Sequence, residues 1–366
     1  MWIDTARGLA ILLVVLIHAT DWIQETAVRI PLWDDVNEVL STLRMPLFFA
    51  CAGILATKWV NADWADLLSR KVTFLAWVYL IWQPVGSLVA LVAARFTGDE
   101  LTLVRMLGSL ALTPVRPRFE LWFLWSLALF FVLARVLARV PRGRQVAVAA
   151  VCSALWCSAL IPETNLGWDG SVKYFVFFLI GWHYREVLQA FAERIGVAAS
   201  LALIGGWLLL SATAYLSGLA EIIGVGLLVR LIGVAAGIAL ALRLQSVPLL
   251  TYLGSRTLPI YLAHTPLIIC FTWLLSTQLG AGEPPAALGL LPVLFVIAAV
   301  ALSLLLHAEL KGNSLGLLLY APPAAVVAWV RRLASAGRRP LVIDLRALEE
   351  ASAVQLPVAA AEHGRV

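Results

Sequence analysis

Arg7 and His18 enclose ten apolar or small residues in the segment IDTARGLAILLVVLIH, a pattern that predicts one apolar helix carrying two functional groups. At about 100° and 1.5 Å per residue, the eleven steps between them return His18 to within roughly 20° of Arg7, about 16 Å further along the axis. Asp4 joins the same stripe, because fourteen steps to His18 leave an offset of about 40°. If Arg7 marks a membrane boundary, His18 lies near the middle of a hydrocarbon layer about 30 Å thick. An ionisable group at that depth faces a protein interior or a wet cavity. A neutral imidazole can take a proton from an alcohol attacking an acyl carbonyl and return it at little cost, since its ordinary pKa is about 6.5. The alternatives stay open: a histidine bonded between helices, and an arginine that only anchors the boundary or meets phosphate.

Fewer groups are placed to assist. Arg44 opens the second apolar run, LSTLRMPLFFACAGIL, about a turn below the surface and at a depth similar to His18, where it could polarise a carbonyl, bind an acceptor hydroxyl or snorkel. Glu120 and Trp122 in RPRFELWFLW mark the mouth of the fourth run, as part of an interface belt or as a surface for a sugar ring. His264 sits about two turns into the ninth run, in LGSRTLPIYLAHTPL. Arg70, Lys71 and Arg185 are cations at the opposite surface, either orientation signals or phosphate contacts. No Walker, HExxH or GxGxxG pattern occurs, and the single GxSxG string, at 312–316, lies beyond the last expected span, so serine hydrolysis and nucleotide hydrolysis lose support. The four cysteines lie in apolar runs without CxxC spacing and are expected to be small buried hydrophobes, and no metal-ligand cluster stands out.

The elements that must hold these groups are membrane helices. Hydrophobic residues make up 61% of the chain and charged ones 13%, with a mean hydropathy of +0.91. A soluble domain carries about 25% charged residues, so this composition excludes one. Apolar stretches at 7–24, 37–57, 72–94, 119–140, 145–162, 172–189, 197–217, 221–242, 257–277 and 286–307 predict an all-α polytopic bundle of about ten spans. The loop with Asp21, Glu25, Asp34, Asp35 and Glu38 is expected outside, and the arginines at 135, 139, 142 and 144 inside, which puts both termini in the cytoplasm and the chain in the plasma membrane. The mildly basic loop from Arg95 to Arg118 is the exception, since it falls outside. The net charge of +5 is therefore an orientation signal and not a nucleic-acid footprint. Residues 1–310 form the expected membrane domain. Residues 311–366 form a cytoplasmic amphipathic segment, surface-lying and broken at Pro322 and Pro323, and a tail with a possible short element at LVIDLRALEE.

IDTARGLAILLVVLIH resembles the opening signature of the acyltransferase family 3 membrane proteins, and MPLFFACAGIL, LWFLWSLALFF and LGSRTLPIYLAH resemble three later motifs of that family in order. The resemblance runs from Ile3 to about Pro266 and is most similar to sugar O-acetylases of the fucose 4-O-acetylase type. It implies ten spans and transfer of an acyl group, usually acetyl, from acetyl-CoA or another acyl-CoA to a hydroxyl of a carbohydrate or glycolipid acceptor, without a metal. It also implies that His18 is the catalytic histidine and Arg7 its motif partner. Arg44 stands where such relatives often carry His, and Ala52 replaces a common Ser. The competing expectation is a transporter or flippase that holds an anionic or glycan substrate on Arg7 and His18.

Overall fold

The computed structural model describes residues 2–26, 30–97, 102–117, 120–276 and 289–336, and among them the regular elements are helical with no strand. In chain order they are α1 (Trp2–Thr26), α2 (Pro31–Ile54), α3 (Thr57–Val60), α4 (Trp64–Asp66), a π-helical turn (Leu67–Val72), α5 (Thr73–Thr97), α6 (Leu103–Leu112) and α7 (Trp122–Val136). There follow α8 (Arg142–Trp156), α9 (Leu166–His183), α10 (Arg185–Arg194), α11 (Val197–Leu216), α12 (Val225–Arg243), α13 (Pro248–Ser255) and α14 (Thr257–Ser276). The last three are α15 (Leu291–Leu310), α16 (Ser314–Tyr320) and α17 (Ala324–Ala336). Part of the loop from Arg95 to Arg118, the segment LVIDLRALEE and the rest of the tail lie outside the described residues.

Local chemistry sets the helix ends. Pro31 occupies the first turn of α2, where its missing N–H leaves nothing unpaired. Asn165 caps α9 by accepting from the backbone N–H of Gly167 and Trp168. Asp169 in the first turn of α9 accepts from the backbone N–H of Thr164 and Asn165, both at 2.7 Å, so that helix begins well before the apolar run at 172. Gly218, with φ of 70°, takes the left-handed conformation that ends α11 and turns the chain toward α12.

The expected span count is corrected. Among the described residues, eight segments are long and apolar enough to cross a membrane: Trp2–Glu25, Trp64–Ala94, Trp122–Arg139, Val197–Leu216, Val225–Arg243, Thr257–Ser276, Leu291–Leu310 and Ser314–Ala336. The sequence runs at 37–57, 145–162 and 172–189 do not qualify. α8 has only 15 residues, about 22 Å. α2 carries Asp34, Asp35, Asn37, Glu38 and Arg44, and α9 carries Asp169 and Lys173. Of these, Asn37 and Arg44 are buried where α2 packs against α1, α9 and α12, and Asp35 and Glu38 are exposed near its start. Ser314–Ala336 reaches spanning length only as two helices, α16 and α17, with extended backbone at Ala321 between them.

Close helix approach positions the first helix. A side chain at Gly8 would run into the Leu250 carbonyl, and one at Gly254 into the Asp4 carbonyl, so α1 and α13 meet backbone to backbone. Gly53 and Gly181 do the same for α2 and α9. In a membrane, where lipid is as apolar as leucine, such small-residue contacts supply the packing that holds helices together. The space between α2, α7 and α9 is filled by aromatic rings, with Phe49 at 4.6 Å from Phe123, 5.0 Å from Phe130 and 5.6 Å from Tyr174 between ring centroids.

Candidate active site

His18 is carried by the unbroken helix α1, sixteen residues beyond its first residue, Trp2. Its Nδ1 lies 3.5 Å from Oε1 of Glu120, which stands just ahead of α7. The His264 ring on α14 lies 5.4 Å from the His18 ring. Glu120 is held from two sides. The Trp22 indole N–H donates to its Oε1 at 3.4 Å, and the Tyr261 hydroxyl donates to its backbone carbonyl. Its other carboxylate oxygen, Oε2, is buried with no hydrogen-bond partner. An unsatisfied buried oxygen is costly, and this one is free to accept a further hydrogen bond.

His264 is wholly buried and committed to its own helix, with Nδ1 3.1 Å from the Ile260 carbonyl and Nε2 3.3 Å from Oγ1 of Thr265. His18 is different, because 19% of its side chain remains exposed. The residues either side of it on α1, Ile17 and Asp21, line a cavity of about 470 Å³ at the acidic end of the bundle, together with Asp34, Asp35, Asn37 and Glu38.

Toward the basic end a second cavity, about 280 Å³, is lined by Arg7, Lys71, Thr257, Phe123 and Tyr261. Arg7 donates to Asp4 at 3.1 Å and to the Thr257 hydroxyl at 3.0 Å. Asp4 therefore neutralises Arg7 and sits fourteen steps, about 21 Å, from His18, with no contact to it. Lys71 enters this cavity from the π-helical turn Leu67–Val72, whose extra residue per turn shifts the side-chain register. Its ammonium lies 5.0 Å from the Phe131 ring centroid. His18 does not line this cavity. Phe123 and Tyr261, with rings 5.6 Å apart, stand between, and Tyr261 is 5.8 Å from His264.

The remaining sequence candidates divide. Arg44 is 9% exposed and donates to Asn37 at 3.4 Å, while Asn37 donates to the Thr20 hydroxyl one helix away at 2.7 Å. α2 begins at Pro31, so Arg44 lies at mid-helix and not one turn from its end. Trp122 is 6% exposed, stacks on Tyr174 and packs at a tilt against Phe49, which places it in the aromatic core and not at a mouth. Arg70 pairs with Asp66 at 3.5 Å, and Arg185 is exposed at the start of α10; neither lines the cavity that Arg7 and Lys71 share. Tyr261, Thr257 and Asn37 were missed. The late motif contains Tyr261, three residues before His264, but nothing in the chain before folding joins it to Glu120. Of the four free cysteines only Cys51 is fully buried, and Cys270 is exposed on α14.

A family model described as an acyltransferase domain, that of the acyltransferase-3 family, matches residues 1–308. The chain is 22% identical over 349 residues to the inner membrane protein YcfT of Escherichia coli (strain K12), an alignment that covers 88% of this chain and 96% of that protein. No solved structure matches.

Proposed function

The chain belongs to the acyltransferase-3 family, and from that premise we propose that it is an integral membrane O-acyltransferase moving a short acyl group, acetyl in the first instance, from acyl-CoA to a hydroxyl of a carbohydrate or glycolipid acceptor. The observation that carries the reading is the pairing of a partly exposed His18 with Glu120, on a helix whose other end presents Arg7 to a cavity that Lys71 also lines. Acyl-CoA approaches from the basic end, its phosphates meeting Arg7 and Lys71. The acceptor comes from the acidic end, through the cavity lined by Ile17 and Asp21, neighbours of His18 on α1.

His18 then acts as general base. Its free ring nitrogen takes the hydroxyl proton as the acceptor oxygen attacks the thioester carbonyl, and Glu120 balances the imidazolium that forms. The tetrahedral intermediate expels the CoA thiolate, which collects the proton from His18, leaving an O-acyl ester and free CoA. His264 packs the far side of the ring and limits its tilt. Arg44, held by Asn37, is placed to stabilise charge on the acceptor side. Residues 1–310 carry the chemistry.

Purified protein supplied with acetyl-CoA and a cell-envelope glycan extract separates the two readings. Release of CoA thiol that depends on the extract supports transfer; counterflow of glycan with no thiol release supports a transporter or flippase and overturns the proposal.

A further inference from the structure

Away from His18, a groove of about 510 Å³ runs between α7, α8 and α9. Its wall is almost wholly apolar, from Leu133 and Val148 through Phe175 to Trp168, and Val148 is 64% exposed beside it. Its polar residues are Arg144 and Gln145 at one end and Ser171, whose hydroxyl is bonded to Ser126 and the Gly167 carbonyl. Gln145 is already engaged, its amide donating to the carbonyls of Leu137 at 3.0 Å and Val140 at 2.7 Å. Arg144 is not. No carboxylate among the described residues pairs with Arg144 or with the neighbouring Arg139, and no acidic residue occurs between Arg135 and Gln145. An apolar channel that ends at the unpaired guanidinium of Arg144, with Arg139 on the adjoining turn whose Leu137 also lines it, is complementary to a molecule with a hydrocarbon chain and an anionic head.

We propose that this groove binds an anionic phospholipid, its acyl chain lying between α7, α8 and α9 and its phosphate meeting Arg144 and Arg139. Charge orients the molecule so that this arginine-rich end faces the leaflet where anionic lipids concentrate, and basic pockets between helices on that side hold such headgroups. α8, at about 22 Å, is shorter than the hydrocarbon layer, so a lipid chain fills space that the helix leaves open. A second copy of this chain is a poorer occupant. A two-fold contact through the groove would bring two unpaired arginine clusters face to face.

Native mass spectrometry of the full-length protein, with phosphatidylglycerol and phosphatidylcholine of identical acyl chains, tests the site. The wild type is expected to retain phosphatidylglycerol in preference to phosphatidylcholine. Arg144→Glu and Arg139→Glu should each weaken phosphatidylglycerol retention by about fivefold or more. Val148→Trp, which fills the groove and leaves the arginines in place, should also reduce it. Equal retention of the two lipids by the wild type, an unchanged preference after both charge reversals, undiminished binding in Val148→Trp, or a dimer that Val148→Trp dissolves would each overturn the proposal.

Discussion

At the scale of single residues, the account turns on which groups touch His18. Glu120 does, at 3.5 Å, and its backbone is tied by Tyr261. Glu120→Gln keeps the shape but removes the charge that balances the imidazolium, so kcat should fall by about a hundredfold with little change in KM for acetyl-CoA. Tyr261→Phe leaves the ring in place and removes only the hydroxyl, so the expected loss in kcat is smaller, about tenfold, and the protein should remain as stable as the wild type in a detergent melt. A Tyr261→Phe protein with unchanged kcat would deny Tyr261 any part in positioning Glu120. The histidine and its arginine were legible in the chain because both lie on one helix, where angular spacing is arithmetic. Glu120 was legible only as a polar residue at a span end. Its pairing with His18 depends on how α1, α7 and α14 pack, and no period within one helix records that.

At the scale of elements, α1 is held by backbone contact with α13, and a substituent at Gly8 or Gly254 would strike a carbonyl. Gly254→Val should therefore cost about 1–3 kcal/mol and lower the melting temperature in detergent, with activity falling in step as α1 moves. The π-helical turn is a second positioning device, since it brings Lys71 and not Arg70 to the cavity. Lys71→Met should raise KM for acetyl-CoA several-fold while kcat stays near the wild-type value, and Arg70→Met should change neither. Steady-state kinetics on the pair would contradict the assignment if the two variants behaved alike. Hydropathy located most of the long helices, but it placed α2, α8 and α9 among ten spans where about eight segments qualify. The discrepancy is physical. A helix sheathed by other helices, as α2 is, answers to its protein neighbours and can carry Asn37 and Arg44, so its composition is no guide to whether lipid surrounds it.

At the scale of the whole molecule, two cavities of opposite character open toward the two ends of α1. One holds Arg7 and Lys71, and the other is bordered by Asp21, Asp34, Asp35 and Glu38. The C-terminal pair α16 and α17 reaches back to the first of these ends. Trp77 and Trp82 donate to the carbonyls of Leu318 and Leu319, and Arg331 pairs with Asp66 at 3.4 Å, next to the π-helical turn. A chain ending at residue 310 should thus insert normally but bind acetyl-CoA several-fold more weakly, as read from KM, because Lys71 loses its support. The helical class and the identity of the bundle's charged ends were readable in advance from composition and loop charge. The packing of the C-terminal helices on α5 was not, since two prolines and a modest apolar run resemble an unattached surface segment.

The central claim is that His18 removes the acceptor's proton. The most direct measurement is transfer of radiolabel from labelled acetyl-CoA to cell-envelope glycan by purified wild type, His18→Ala and His264→Ala, each first shown to be folded by its melting profile. The account predicts that His18→Ala abolishes transfer, a loss of about a hundredfold or more, while His264→Ala retains a measurable part of it. A folded His18→Ala protein that transfers label at near the wild-type rate would contradict it.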